Sequence, residues 1–105
     1  IVITNNSGSP ITVSNLFAQW VASPSSQKLN QVNLGSAVIW NTSDPDSPST
    51  LPGEGGGNWP GTASDRTISN GASQSLILQF QESLLSNGYS VQITFENGCQ
   101  VSGSN

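Results

Sequence analysis

Between Tyr89 and Glu96 the chain alternates without a break: Tyr89, Val91, Ile93 and Phe95 are apolar or aromatic, while Ser90, Gln92, Thr94 and Glu96 are polar. Period two places each set on its own face of a pleated strand, whereas a helix would scatter both sets round its circumference. Asn97-Gly98 follows directly and is the strongest short hairpin signal in the sequence, leading into Cys99–Val101. Short alternating runs bounded by Gly, Pro, Asn and Ser recur along the 105 residues, and no apolar period of 3.6 residues is sustained over a helical length. Gln81–Ser86 allows one helical turn and no more. The chain is therefore read as all-β.

The runs can be placed one by one. Ile1–Thr4 is a strand closed by the polar turn Asn5-Asn6-Ser7-Gly8-Ser9-Pro10. In Ile11–Trp20 the apolar parity changes, with Ile11 and Val13 odd but Leu16, Ala18 and Trp20 even. A strand can change its buried face only through a bulge or bend, which places one near Ser14-Asn15. Ser23-Pro24-Ser25-Ser26 reads as a loop. Gly35-Ser36 between Gln31–Leu34 and Ala37–Trp40 predicts a type II′ hairpin with Val32 opposite Ile39, Leu34 opposite Ala37 and Gln31 opposite Trp40. Residues 41–66 show no alternation and carry Asp44-Pro45-Asp46, Pro48, Pro52-Gly53, Gly55-Gly56-Gly57 and Pro60-Gly61, a long irregular loop. Arg66–Ser69 and Ser75–Phe80 resume regular structure. About seven to eight strands at this spacing predict a single β-sandwich over residues 1–102, followed by a tail at 103–105. The expected core is Ile3, Ile11, Val13, Leu16, Val32, Leu34, Ile39, Ile68, Leu76, Leu78, Phe80, Val91, Ile93 and Phe95.

Composition removes several functions. Two cations, Lys28 and Arg66, against six carboxylates give a net charge of −4, which leaves nothing to neutralise a run of phosphates. The longest apolar run, Ala37–Trp40, is far short of a membrane span. Without histidine there is neither a Ser-His-Asp or Cys-His site nor a zinc site of the usual kind. Ser, Thr, Asn and Gln supply the polarity in place of Lys and Glu, which points to an exported, extracellular or cell-surface protein. The opening at Ile1 is read as that of a processed or excised piece of a longer precursor, and Cys99 as paired outside these residues, bridging subunits or free.

Three sets of residues are candidates for chemistry. Asp44, Asp46, Glu54 and Asp65 lie within the long loop, where carboxylates, carbonyls and the neighbouring Asn41, Thr42, Ser43 and Ser47 offer the oxygen ligands calcium prefers. The order is not that of an EF-hand, and the same aspartates are also ordinary turn formers, with Asp65-Arg66 a local pair. Trp20, Trp40 and Trp59 are either core caps, each indole N–H reaching a partner, or aromatic platforms for sugar rings. Ile1, Val2, Ile3 and Thr4 form an uncharged apolar strand that either pairs within its own domain or completes the sheet of a neighbouring subunit, with Cys99 a further subunit contact. Catalysis is not expected: Glu54 and Asp65 could be named as paired acids for glycoside hydrolysis, but nothing sets their geometry. Asn5-Asn6-Ser7 and Asn41-Thr42-Ser43 fit the N-glycosylation pattern.

A resemblance enters on Ile3-Thr4-Asn5-Asn6-Ser7-Gly8-Ser9-Pro10-Ile11, on Ile68-Ser69-Asn70-Gly71-Ala72-Ser73 and on Tyr89 to Cys99. In these stretches the chain resembles secreted bacterial immunoglobulin-like sandwich domains of surface and pilin-like proteins. Its Ile68–Ser73 step is also similar to steps in family 2 carbohydrate-binding modules. The first likeness implies an immunoglobulin-like sandwich that assembles with copies of itself into a filament or surface layer, with a cysteine before the first strand pairing one placed like Cys99. The second implies a module of a larger secreted enzyme that binds polysaccharide through exposed tryptophans.

Overall fold

The computed structural model describes residues 1–20, 27–53, 58–81 and 88–104. The loop expected over Ser23–Ser26, the helical turn expected beyond Gln81 and the candidate ligand Glu54 lie outside the described residues. Among the described residues nine strands form two antiparallel sheets, a β-sandwich. The first sheet orders β1 (Val2–Thr4), β7 (Ser73–Phe80), β3 (Leu29–Leu34) and β4 (Ala37–Trp40). The second orders β5 (Ser49–Leu51), β2 (Ile11–Trp20), β8 (Tyr89–Phe95) and β9 (Gln100–Ser104), with β6 (Thr67–Ile68) also pairing β2. Only β3–β4 and β8–β9 are hairpins; the connections β1–β2, β2–β3, β4–β5, β6–β7 and β7–β8 cross from one sheet to the other. These crossings place the inward faces of both sheets against a single core.

The parity change in β2 is a bulge at the expected place. Val13 lies opposite Phe95 and Asn15 opposite Thr94, so Ser14 is the extra residue. Val13, Leu16, Ala18 and Trp20 are all buried as a result, although they do not share one parity. The Gly35-Ser36 turn also stands: Gly35 has φ of 60° while Ser36 keeps a negative φ, the type II′ pattern, and Leu34 faces Ala37. Its expected register holds for that pair and the next, Asn33 opposite Val38. A second bulge sets Val32 opposite Trp40 rather than Ile39, so Ile39 and Trp40 are both buried where strict alternation would expose one of them. The Asn97-Gly98 hairpin is closed by Phe95 N–H to Cys99 O and Gly98 N–H to Phe95 O, each 2.9 Å.

Three expectations are corrected. Residues 41–66 are not wholly irregular: β5 pairs β2 with Leu51 buried, and Ala63–Arg66 is a 3-10 turn. A three-residue strand between Pro48 and Pro52 is too short to show a period. The segment expected as a tail is strand, since β9 runs to Ser104, opposite Ser90. Phe80, expected in the core, is half-buried and packs on its edge, 5.7 Å from both Trp20 and Tyr89. The other expected core residues are buried, and Ala18, Trp20, Leu29, Trp40 and Leu51 join them.

One polar side chain is built into this core. Asn5 is 1% exposed, and its Nδ2 donates to the carbonyls of Ser9 and Ile68, 2.8 Å each, while its Oδ1 accepts from Ser7 N–H and Oγ–H. Its main chain bonds Ala72 O and Gly71 N–H. The first turn, β6 and the turn before β7 are thereby tied at one residue, and the amide engaged in these bonds is not free for glycosylation in the folded domain.

Close packing between the sheets explains Gly103. A Cβ there would lie 2.8 Å from Ile1 Cγ2, so the edge of the second sheet approaches the start of the first only because position 103 has no side chain. Gly103→Ala is expected to destabilise the domain by about 1–3 kcal/mol through overpacking, and Ile1→Ala in the same chain to recover part of that loss. Denaturant unfolding of the two single variants and the double variant measures this coupling. Asn5→Ala, which takes the side-chain donor from the buried Ile68 carbonyl and the acceptor from Ser7, is expected to cost about 2 kcal/mol or more in the same assay.

Candidate functional site

The candidate residues can now be placed. Trp20 and Trp40 are 6% and 0% exposed, in the core as caps of one pole of the sandwich. Their expected indole partners are not found: among the described residues neither Nε1–H has one, and Asp44 Oδ2 and Ser49 Oγ, at the same pole, are also buried without a partner. Trp59 is half-buried, and the guanidinium of Arg66 lies 5.2 Å from its ring centroid. Its Nε1–H donates to Ser14 O at 3.3 Å, and Arg66 Nε–H donates to Val13 O at 3.2 Å. The loop tryptophan and the chain's one arginine therefore bond the carbonyls at the β2 bulge. Sequence reasoning missed this role for Arg66, because a residue 53 positions away gives no local sign of it.

The acidic residues divide. Asp44 is 2% exposed, its main chain pairs with Leu29 in both directions at 2.9 Å, and its Oδ1 accepts from Asp46 N–H at 2.9 Å. This is an Asx turn, the ordinary turn-forming role. Asp65 lies beyond the opposite end of β3, beside Leu34, Ser36 and Ala37, where its carboxylate accepts from Thr62 N–H at 3.3 Å. Five residues of β3 separate the two ends, about 16 Å at strand rise. Among the described residues no three Cys, Asp or Glu side chains gather at a common point. The structure thus joins Asp44 to Asp46 and does not bring Asp65 to them.

The third set carries the most distinctive feature. Each of the eight charged residues lies outside the described strands, so no described strand contributes a charged side chain to either sheet. Edge strands present unpaired N–H and C=O groups, which proteins commonly blunt with Lys, Pro, a bulge or a cover. Two of the edges here are guarded. β5 is three residues long and bracketed by Pro48 and Pro52, and the 3-10 turn Ala63–Arg66 packs beside β4. The other two edges, β1 and β9, lie on one flank with no charged side chain, no proline and no covering segment among the described residues.

Between these open edges runs a trough of about 290 Å³ lined by residues 1–4 and 101–104. A second, mostly apolar hollow of about 150 Å³ continues it past Ile3, Thr4 and Val101 to Cys99. Val2 is 69% exposed and Val101 37%. Cys99 is an exposed free thiol whose N–H donates to Asn97 Oδ1. The expected contact residues Ile1, Val2, Ile3, Thr4 and Cys99 thus share one flank, and β1 pairs with β7 of its own domain.

No helix of the described chain is long and apolar enough to cross a membrane. Compared with protein-family models, with curated proteins and with solved structures, the chain matches none.

Asp44 offers a direct test of the acidic turn. Asp44→Asn keeps an oxygen for Asp46 N–H and replaces the unpartnered carboxylate oxygen with an amide, so the melting temperature is expected to hold or rise. Asp44→Ala removes the acceptor and is expected to cost about 1–2 kcal/mol. Repeating both melts with calcium and with EGTA shows whether this turn engages the ion: a calcium-dependent rise in the wild type that Asp44→Asn abolishes would place calcium there.

Proposed function

We propose that this chain is a non-enzymatic, extracellular structural subunit that assembles with copies of itself into a pilus-like filament or surface layer through strand and loop contacts. The observation that carries the self-association in this reading is the open flank: two strand edges, neither blunted by a charged side chain nor by proline, in a domain whose charged side chains all lie outside its described strands. A domain that stays monomeric is under pressure to protect such edges, and β5 shows that this chain has the means to do so. Low charge in the strands also lets subunits approach without like-charge repulsion. A surface made of Ser, Thr, Asn and Gln fits an exported protein.

The alternative, a carbohydrate-binding module, depends on flat indole faces open to a sugar ring. Trp20 and Trp40 are core residues and Arg66 lies over Trp59, which favours the structural reading. A calcium-assisted contact would rely on Asp44, Asp46 and main-chain carbonyls, with Asp65 at the far pole.

Negative-stain electron microscopy of the purified protein, in calcium and in EGTA, tests the proposal. Ordered filaments or sheets are expected. Their loss in EGTA would put the ion at the contacts, and dispersed particles in both conditions would overturn the assembly reading.

A further inference from the structure

Among the described residues one flank of the sandwich is unguarded, and this limits what strand pairing can build. Assembly that continues indefinitely through edges needs two different open edges on opposite sides of the domain, joined head to tail. Here β1 and β9 lie side by side, and the opposite edges β4 and β5 are covered or bracketed by proline. A contact that uses the same flank on both copies is isologous and closes on itself.

We infer that the β1/β9 flank binds the same flank of a second copy of this chain, giving a two-fold dimer in which both sheets run on from one subunit into the other. The inference narrows the assembly proposed above and rests on the same open edges. The dimer would be the building block, and any growth beyond it falls to other surfaces.

Two features identify a second copy as the occupant. The flank has no charged side chain through which to select a foreign partner, so its recognition groups are main-chain N–H and C=O. Those groups stand in two rows, one on each side of the trough, and a single extended peptide would complete only one row. A second copy presents two rows at the same separation. Strand direction places no obstacle to a two-fold. Ile1 lies against Gly103, while the Asn5 end of β1 shares the second hollow with Cys99, so β1 and β9 run in opposite senses along the flank. A two-fold axis perpendicular to the strands reverses each one, setting β1 antiparallel to its copy and β9 antiparallel to its copy. Each edge then meets one of its own length, three residues for β1 and five for β9.

Size-exclusion chromatography with light scattering on the wild type at tens of micromolar is expected to give twice the chain mass. The double variant Val2→Lys/Val101→Lys, which adds charge at two exposed positions, is expected to run at the chain mass with a melting temperature close to that of the wild type. A second arm does not depend on that variant folding. In a Cys99→Ser background, Ser102→Cys at the middle of β9 is expected to form a disulfide-linked dimer on mild oxidation, since directly opposed strand residues lie within disulfide reach. Gln92→Cys, on β8 one strand in from the flank, is expected to form no disulfide link under the same oxidation. A monomeric wild type overturns the inference and leaves the flank to an extended segment of another protein. A dimer that survives both lysines and gives no Ser102→Cys link overturns it too, placing the contact elsewhere. A dimer dissolved by the lysines, in a preparation that shows no filaments, upholds this inference while sinking the filament reading.

Discussion

The bulge at Ser14 organises the rest of the molecule. β2 is the longest strand and pairs with three others, β6 before the bulge, β5 after it and β8 along its other side. A ten-residue strand whose apolar residues change parity cannot bury them all unless its register slips by one residue. The slip costs ladder hydrogen bonds, and the carbonyls at that point need donors. Arg66 and Trp59 supply them from the segment between β5 and β6, which ties that segment to the sandwich. One local violation of the strand period thus governs both the facing of the core and the path of the least regular part of the chain.

Charge placement is the second constraint. Carboxylates and cations are confined to turns and loops, so the sheets are held by apolar burial, ladder hydrogen bonds and neutral polar side chains. Thr12 with Thr67 and Thr4 with Ser73 are examples, joined by cross-strand hydroxyl bonds of 2.7 and 2.8 Å. The same confinement removes the usual protection from the edges. Short length and proline serve at β5 and a packed turn at β4, while at β1 and β9 the main chain remains available.

Polar groups in the interior are treated in two ways. Asn5 meets its full complement of partners and fastens the first turn to the stretch from Ile68 to Ala72, more than sixty residues on. At the opposite extreme, the pole formed by Trp20, Trp40, Asp44 and Ser49 buries polar atoms that have no partner among the described residues. Asx-turn geometry holds Asp44 through one oxygen only, which is why a neutral amide should serve as well there. The two regions differ in what they require: Asn5 specifies how turns dock, and the tryptophan pole is filled by aromatic packing.

How much could be read in advance follows from the range of each interaction. The all-β class, the bulge in β2, the Gly35-Ser36 turn and most of the core are written in neighbouring residues, because strand period and turn chemistry act over two to ten positions. Residues such as Leu51 and Leu29 were missed because their strands, or the part of them that was overlooked, are too short to show a period. Trp40 is the core cap that one sequence reading allowed, but it faces Val32 rather than Gln31, because a bulge breaks the alternation of β4. Tertiary structure alone decided that Arg66 and Trp59 serve the bulge, that Asp65 is parted from Asp44, and that β1 and β9 lie side by side on one flank. Those outcomes depend on which strands become neighbours, which is set by how the two sheets bury their apolar faces together and not by any local run of residues.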